Sequence, residues 1–573
     1  MPVHNSEVAA IFRQVADLLA IEGANPFRVR AYRNAARTVE ELSSDLAVMV
    51  ASGEDLSRLP DIGHDLAGKI AEIVETGQLK LLDDLRGEVP EAVAQITGVP
   101  GVGPKRARAL MEALGVASMD DLRKAAEDGR IADVPGFGEK LQARILREIE
   151  EGRITERRFR IDRAEEFAES ILDFIRGIEG VKEALVAGSY RRRKETVGDL
   201  DILVTAKKGA KVMKAALDYD EIARVASQGP TRATVLLRSG LQVDIRVVRE
   251  ESYGAALMYF TGSKAHNIVL RRRAQAKGLK LNEYGLFRGK KRVAGKTEEE
   301  VYKALGLPWI VPELREDRGE LAAAERGKLP DLVSLEDMKG DLHVHTTASD
   351  GTATIEEMAE AAKALGYEYL AIADHSPSQR IANGLSVERL AEHLDAIDAV
   401  NDRLKGIRLL KASEVDILED GSLDYPDKVL ARLDLVVAAV HSQFTLPEEK
   451  QTARILKALD NPHVGILAHP TGRLIGERGA YSVNLEKVFE AATERGVALE
   501  INAHPMRLDL DDLEARIARD MGAQIAISTD AHSTGGLDYM SYGVAQARRG
   551  WLTREDVLNT RGLDAMLGLL RKR

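Results

Sequence analysis

Between residues 341 and 532, seven apolar runs each finish in a residue type that binds metal. They are Asp341-Leu-His-Val-His, Leu370-Ala-Ile-Ala-Asp-His, Leu410-Lys-Ala-Ser-Glu and Val436-Val-Ala-Ala-Val-His, then Ile466-Leu-Ala-His-Pro, Leu499-Glu-Ile-Asn-Ala-His and Ile525-Ala-Ile-Ser-Thr-Asp-Ala-His. Amphipathic helical segments such as 355–365, 386–400 and 484–495 lie between them, a pattern of repeated β/α units. In a β/α barrel the C-terminal ends of all strands gather at one face. Ligands scattered through this half of the sequence are therefore expected in one pocket. A single histidine at a strand end is usually a core or surface residue. Here the chain has 12 histidines, and seven of them (343, 345, 375, 441, 469, 504 and 532) sit at these ends.

This half of the chain, residues 338–573, resembles the polymerase and histidinol phosphatase (PHP) superfamily. The resemblance implies nine metal ligands: His343, His345, Asp350, His375, Glu414, His441, His469, Asp530 and His532. They would hold up to three ions, Mn²⁺ and/or Zn²⁺. Asp350 stands where several relatives carry histidine, which hardens that site toward Mn²⁺. His504 is left outside the ligand set, and Arg473 and Arg507 are expected to hold a substrate phosphate. An ion cluster that generates hydroxide at neutral pH makes phosphoester hydrolysis the expected reaction. The chain has no cysteine, so thiolate ligands, thiolate nucleophiles and disulfides are excluded.

The net charge of −11 would argue against a nucleic-acid partner if it were evenly spread. It is not. Residues 1–330 carry 54 basic and 52 acidic side chains, and 331–573 carry 27 and 40. The front half is thus free to track phosphates, while the rear collects carboxylates. In the front, Leu59-Pro-Asp-Ile-Gly-His, Val99-Pro-Gly-Val-Gly-Pro and Val134-Pro-Gly-Phe-Gly-Glu share one pattern, each followed by a helix. Such turns offer free N–H groups and the positive end of a helix dipole to a phosphate. They resemble helix-hairpin-helix motifs, with Gly63, Gly101, Gly103, Gly136 and Gly138 against the DNA backbone. Asp61 departs from the pattern where a glycine is usual. The resemblance also implies a monovalent cation, Na⁺ or K⁺, on the carbonyls of Leu59 and Ile62, or of Thr97, Val99 and Val102.

Further on, Gly188-Ser-Tyr-Arg-Arg-Arg-Lys-Glu-Thr-Val-Gly-Asp-Leu-Asp carries two carboxylates, Asp199 and Asp201, on one face of an expected strand. Asp244 lies on a second strand-like run, Leu241-Gln-Val-Asp-Ile-Arg. Three converging carboxylates suit a pair of Mg²⁺ ions beside a triphosphate. Over residues 5 to 318 the chain resembles DNA polymerase beta and the X family of DNA polymerases. That resemblance implies a nucleotide site of Gly188, Ser189, Arg192, Gly198, Tyr259, Phe260, Gly262, Asn267 and Arg271. Lys69 matches a lysine that forms a Schiff base with a 5′-deoxyribose phosphate. Arg28 and Arg33 would favour that role by lowering its pKa, and Asp61 and Asp65 would oppose it. Three departures stand out: Arg193 for a usual glycine, Gln242 for a usual arginine, and Lys264 after Tyr259-Phe-Thr-Gly-Ser.

The expected fold is multidomain: all-α helix-hairpin-helix domains (1–86 and 87–155), an α+β nucleotidyltransferase palm (156–258) and a thumb (259–318). A charged linker (319–337) and a (β/α)7 PHP barrel (338–573) follow. The expected function is gap-filling DNA synthesis in base-excision repair, with a 3′–5′ exonuclease and an abasic-site endonuclease behind. Its partners are gapped or primed DNA and dNTPs. Two other readings remain open: a DNA-gripping scaffold with weak synthesis, and a rear domain that is a small-molecule phosphatase or purely structural. No apolar run is long enough to span a membrane, and the first residues lack a signal-peptide pattern. A monomer in the cytoplasm, associated with the nucleoid, is expected.

Overall fold

A computed structural model of the chain describes residues 5–40, 42, 46–88, 102, 104–116, 119–150 and 158–570. The front is helical. Phe12, Val15, Ala16 and Leu19 recur at helical spacing along Asn5–Glu22, so one stripe of that helix is apolar and buried. It packs on Pro26–Glu40 and on Pro104–Leu114. Ile70, Ile73, Leu110, Ile131 and Ile145 join the same core, so the two helical units expected at 1–86 and 87–155 share one apolar interior.

The palm is a five-stranded sheet in the order Val181–Val186, Asp199–Ala206, Gln242–Val248, Arg232–Leu237, Ile222–Gln228. Its one parallel pair, Asp199–Ala206 with Gln242–Val248, sets Asp201 opposite Asp244. Helix Ile161–Arg176 closes one face with Phe167, Ile171 and Ile175. The thumb follows with helices Tyr253–Thr261 and Lys264–Ala276 and a three-stranded sheet, Lys280–Asn282, Gly285–Arg288 and Lys291–Ala294.

The charged stretch expected as a linker is folded and packed. It contains the helix Glu320–Glu325 and a short turn at Leu335–Asp337, and another turn, Pro312–Leu314, precedes it. Its apolar residues are small or scattered, with Ala324 on the thumb core and Val333 in the barrel core, and charges nearby are paired inside. Just ahead of it Arg315 is fully buried on Glu298, and within it Glu320, also fully buried, contacts His266 at 2.7 Å. A short, charge-rich stretch reads as a loop in sequence. Here it marks a polar seam between thumb and barrel.

The rear is a seven-stranded parallel sheet in sequential order, from Gly340–Val344 through Tyr369–Ile372, Arg408–Asp416, Leu435–Ala439, Val464–Leu467 and Ala498–Asn502 to Ile525–Ser528. Bonds from Asp530 N to His343 O (2.9 Å) and from His345 N to Ala531 O (2.8 Å) join the last strand to the first. The sheet is thereby a (β/α)7 barrel. Side chains alternate along each strand. Leu370, Ile372, Val436 and Ala438 face the helices, and Ala371, Ala373, Val437 and Ala439 fill the barrel. Helix Leu563–Leu570 plugs the N-terminal end with Met566. The palm and thumb cores run on into the barrel, through Leu508 and Trp551 respectively. Among the described residues, no helix is long and apolar enough to cross a membrane.

Candidate active sites

The alternation that fills the barrel also builds its pocket. The inward columns read Ala371-Ala373-His375, Leu410-Ala412-Glu414 and Val437-Ala439-His441, apolar below and ligand-type above. His469 is off this parity, and its backbone turns into the left-handed region (φ 28°) as its Nε2 meets Glu414 at 2.9 Å. Eight of the nine expected ligands fall into three groups whose ligand atoms lie within 4.8 Å of one another: His345, Asp350, His375 and His532; His343, His345 and Asp530; His375, Glu414 and His441. His469 joins them through Glu414.

A cation fits this pocket. Nε2 of His343, both ring nitrogens of His345, Nδ1 of His375, Nδ1 of His469 and Oε2 of Glu414 are buried without a well-aligned hydrogen bond and crowd one another, His375 Nδ1 and Glu414 Oε2 at 2.8 Å. Buried polar atoms are normally satisfied, and here the unsatisfied ones converge on a common centre. The charges agree. Burial would raise the Glu414 carboxyl, but His441, His343 and His375 hold it well below the usual range. Burial likewise opposes Asp530, which His343 and His345 hold well down. His441 is pushed up to about 10 against its burial, by Glu414 and Asp416. Burial and Arg507 bring His469 down to about 4.

A second ring of carboxylates, not singled out in the sequence, orients these groups. Glu500 accepts from Nδ1 of His343 (2.9 Å) and from the His469 amide (2.8 Å). Asp416 pairs with Nδ1 of His441 at 2.6 Å. Asn502 ties Glu500 to Asp530, and Asp341 accepts from Thr529. Asp374 accepts from Thr346 and Ser349 and faces His393. The trace of this ring in sequence is a carboxylate that interrupts the otherwise apolar strand Leu499-Glu-Ile-Asn, a pattern shared with ordinary polar interruptions. His504 contributes to no ligand group among the described residues. Its Nδ1 accepts from the Met506 amide, and burial drives it down to about 3.

Of the two arginines expected to hold phosphate, Arg507 lies at the pocket, 3.4 Å from Asp530. Arg473 does not reach it as a free cation. Its guanidinium is bound to Glu195 of the palm (2.7 Å) and to the carbonyls of Arg507 and Leu508, so it serves the seam between the two domains.

In the palm, Asp201 is pushed up to about 7 by burial and by the adjacent charges of Asp199 and Asp244. Crowded carboxylates of this kind are relieved by a divalent cation. Gly188 leaves the space open: at φ 63°, a Cβ there would lie 2.6 Å from Oδ2 of Asp201. Asp244 is held by Thr234 (2.5 Å) and by Gln242 (3.0 Å), so Gln242 takes over the orientation of that carboxylate. Ser189 follows Gly188 in the short helix Gly188–Arg191, and Gly198 precedes the strand that bears Asp199 and Asp201. Arg192 donates to Glu316 (3.0 Å) and to the Thr261 carbonyl (2.5 Å). Arg193 occupies the left-handed region (φ 53°), which is why glycine is usual there, and it is compensated by Glu165 at 2.8 Å. In the thumb, Asn267 donates to the Tyr259 carbonyl (2.7 Å), and Arg271 lies one turn on. Arg246 covers the ring of Phe260, Gly262 ends the helix that carries both aromatics, and Lys264 opens the next.

At the front, Gly63 caps helix His64–Thr76, and Gly138 precedes Glu139–Glu150. Asp61 (φ 58°) and Gly136 (φ 86°) occupy the same left-handed slot of their hairpins. Gly101, Gly103, Thr97 and Val99 lie outside the described residues, while Val102 is buried. Leu59 O accepts from the Ile62 amide. Lys69, in helix His64–Thr76, donates to Asp65 at 2.5 Å.

These sites match known families segment by segment. Residues 3–79 match a helix-hairpin-helix domain and 93–151 a SAM-like helix-hairpin-helix tandem. Residues 160–248 match the DNA polymerase beta palm, 256–316 the DNA polymerase beta thumb, and 341–504 the PHP domain. One relative spans the whole chain, the DNA polymerase/3′-5′ exonuclease PolX of Bacillus subtilis (strain 168), 38% identical over 574 residues and 100% of both chains. The chain belongs to the PolX family. Probable phosphatases match part of this PolX chain. That of Thermoanaerobacter sp. (strain X514) is 30% identical over 38% of this chain and 89% of its own, and that of Acetivibrio thermocellus 33% over 34% and 78%. These matches cover little more than a third of this chain, whereas the Bacillus subtilis relative covers all of it.

Proposed function

We propose that this PolX enzyme fills short gaps in DNA during base-excision repair and trims 3′ ends in its barrel, where it also cleaves at abasic sites. The observation that carries this reading is the coexistence of two separate, complete-looking ligand sets, the Asp199, Asp201 and Asp244 triad and the nine-residue barrel cluster, on one DNA-gripping chain. Asp199, Asp201 and Asp244 would hold two Mg²⁺ ions, and the barrel residues Mn²⁺ or Zn²⁺. Such ions supply an activated hydroxyl or hydroxide and neutralise charge on the departing group.

The protein's own groups do the positioning. Gly188 and Ser189 bring backbone and hydroxyl donors to the triphosphate, with Arg192 as a forked cation beside them. Tyr259, Phe260 and Gly262 form the wall for a deoxyribose, and Asn267 and Arg271 meet the nascent base pair. Gly63, Gly136 and Gly138 place helix N-termini against phosphates, which binds DNA without reading its sequence. In the barrel Arg507 meets the scissile phosphate beside Asp530. The small-molecule phosphatase reading is less well supported, because the relatives bearing that description match about a third of this chain, while the polymerase/exonuclease relative matches all of it.

The test uses a labelled duplex with a short gap bearing a 5′ phosphate, incubated with and without dNTPs. Filling of the gap by the intact protein, lost in Asp199→Ala while 3′ degradation persists, is expected. Extension by Asp199→Ala at the normal rate, or equal use of an unphosphorylated gap, would count against the reading.

A further inference from the structure

The barrel helix Met540–Arg549 ends against the polymerase site. The Arg549 side chain is 2% exposed. Its Nη1 donates to the main-chain carbonyl of Arg192 (2.8 Å) and to Oε1 of Glu316 (3.1 Å), and its Nη2 to Asp512 (2.5 Å). The same Glu316 oxygen accepts from Nε of Arg192 (3.0 Å), and Nη1 of Arg192 donates to the Thr261 carbonyl (2.5 Å). A Cβ on Gly262 would lie 3.2 Å from that Nη1. Glu316 is nearly buried, and although burial would raise its carboxyl, Arg192, Arg549 and Lys194 keep it below its ordinary value. One carboxylate therefore sits between two arginines, one on each domain.

We infer that Arg549 is a positioning residue for nucleotide addition: through Glu316 and the Arg192 carbonyl, the barrel fixes the Arg192 guanidinium against the turn at Thr261-Gly262. The inference rests on the reading of Arg192 as a nucleotide-binding residue. An arginine has several rotatable bonds, and a donor already held in place gives up less freedom when the triphosphate arrives. The forked guanidinium of Arg549 makes three contacts that a lysine, with the same charge, cannot all reproduce. The polymerase half would then depend on the barrel for affinity toward the incoming nucleotide, independently of the barrel's own chemistry.

The test is steady-state single-nucleotide insertion by the full chain carrying Arg549→Lys, with 3′ degradation measured alongside as a check on the barrel. A KM for dNTP raised about tenfold, with kcat within about twofold and degradation unchanged, is the expected result. Glu316→Gln, which keeps the shape of the link and removes its charge, is expected to show the same split and serves if Arg549→Lys does not fold. In an Arg192→Ala background, Arg549→Lys is expected to add nothing further. An unchanged KM in folded Arg549→Lys and Glu316→Gln proteins would overturn the inference, as would an undiminished effect of Arg549→Lys in the Arg192→Ala background. If Arg192→Ala alone leaves the KM for dNTP unchanged, the fault lies with the reading of Arg192 as a nucleotide residue.

Discussion

Glu500 orients two expected ligands at once and exchanges no contact with solvent. Carboxylates behind metal-bound histidines fix the ring and raise its basicity, and losing one costs roughly 10–100-fold in metal affinity or activity. Glu500→Gln is therefore expected to lower 3′ degradation and bound Mn²⁺ by about that factor while dNTP insertion continues; ion content and both rates measured on one preparation check it. Gly188 makes a comparable demand in the palm. Gly188→Ala is expected to reduce insertion by about tenfold or more, since every ~1.4 kcal/mol lost at the transition state is a factor of ten, and a Cβ there collides with Asp201. Most of the expected ligands were legible because they lie at the ends of apolar runs, whereas Asp350, in the turn after the first run, came from the family resemblance. The residues behind them were not, because Glu500 and Asp416 look like ordinary polar interruptions until the strand ends are brought together. Arg193 shows the converse: the departure was visible, and only its backbone angle and its Glu165 partner explain how it is borne.

At the scale of elements, periodicity exposed the strands and helices of the barrel and the strand pair of the palm. It failed at 319–337, where the elements are short and buried charge accompanies apolar contacts such as Ala324 on the thumb core and Val333 on the barrel core. Glu298, at the start of helix Glu298–Ala304, shows how that seam works. It accepts from Arg191 of the palm and from Arg315 and Trp309. Burial would raise its carboxyl, but Arg191 and Arg315 bring it down to about 2. A depressed carboxylate contributes stability that is fully present above its ordinary pKa and lost as pH falls through the folded value. The contribution of Glu298 is thus expected to fade between about pH 4.5 and the lower value. Glu298→Gln should leave Arg315 buried without its charge partner and cost about 3–5 kcal/mol, seen as a lower denaturant midpoint at neutral pH. A midpoint equal to that of the unaltered protein at pH 7 would refute this.

For the whole molecule, the division of charge between the halves says more than the total. A front half that meets phosphates through helix ends and basic side chains is expected to bind duplexes of different sequence about equally, with an affinity that falls steeply as salt rises; titrations at several salt concentrations on two unrelated sequences measure both. The two domains share a seam of arginine–carboxylate pairs, yet their ligand sets are separate, and the central claim is that each set serves one reaction. A 5′-labelled primer on a template, incubated with folded His469→Ala protein in Mg²⁺ and Mn²⁺ with and without dNTPs, tests this most directly. Extension at the normal rate with no shortening of the primer is the predicted result; shortening at the rate of the unaltered protein would contradict the assignment of the nuclease to the barrel.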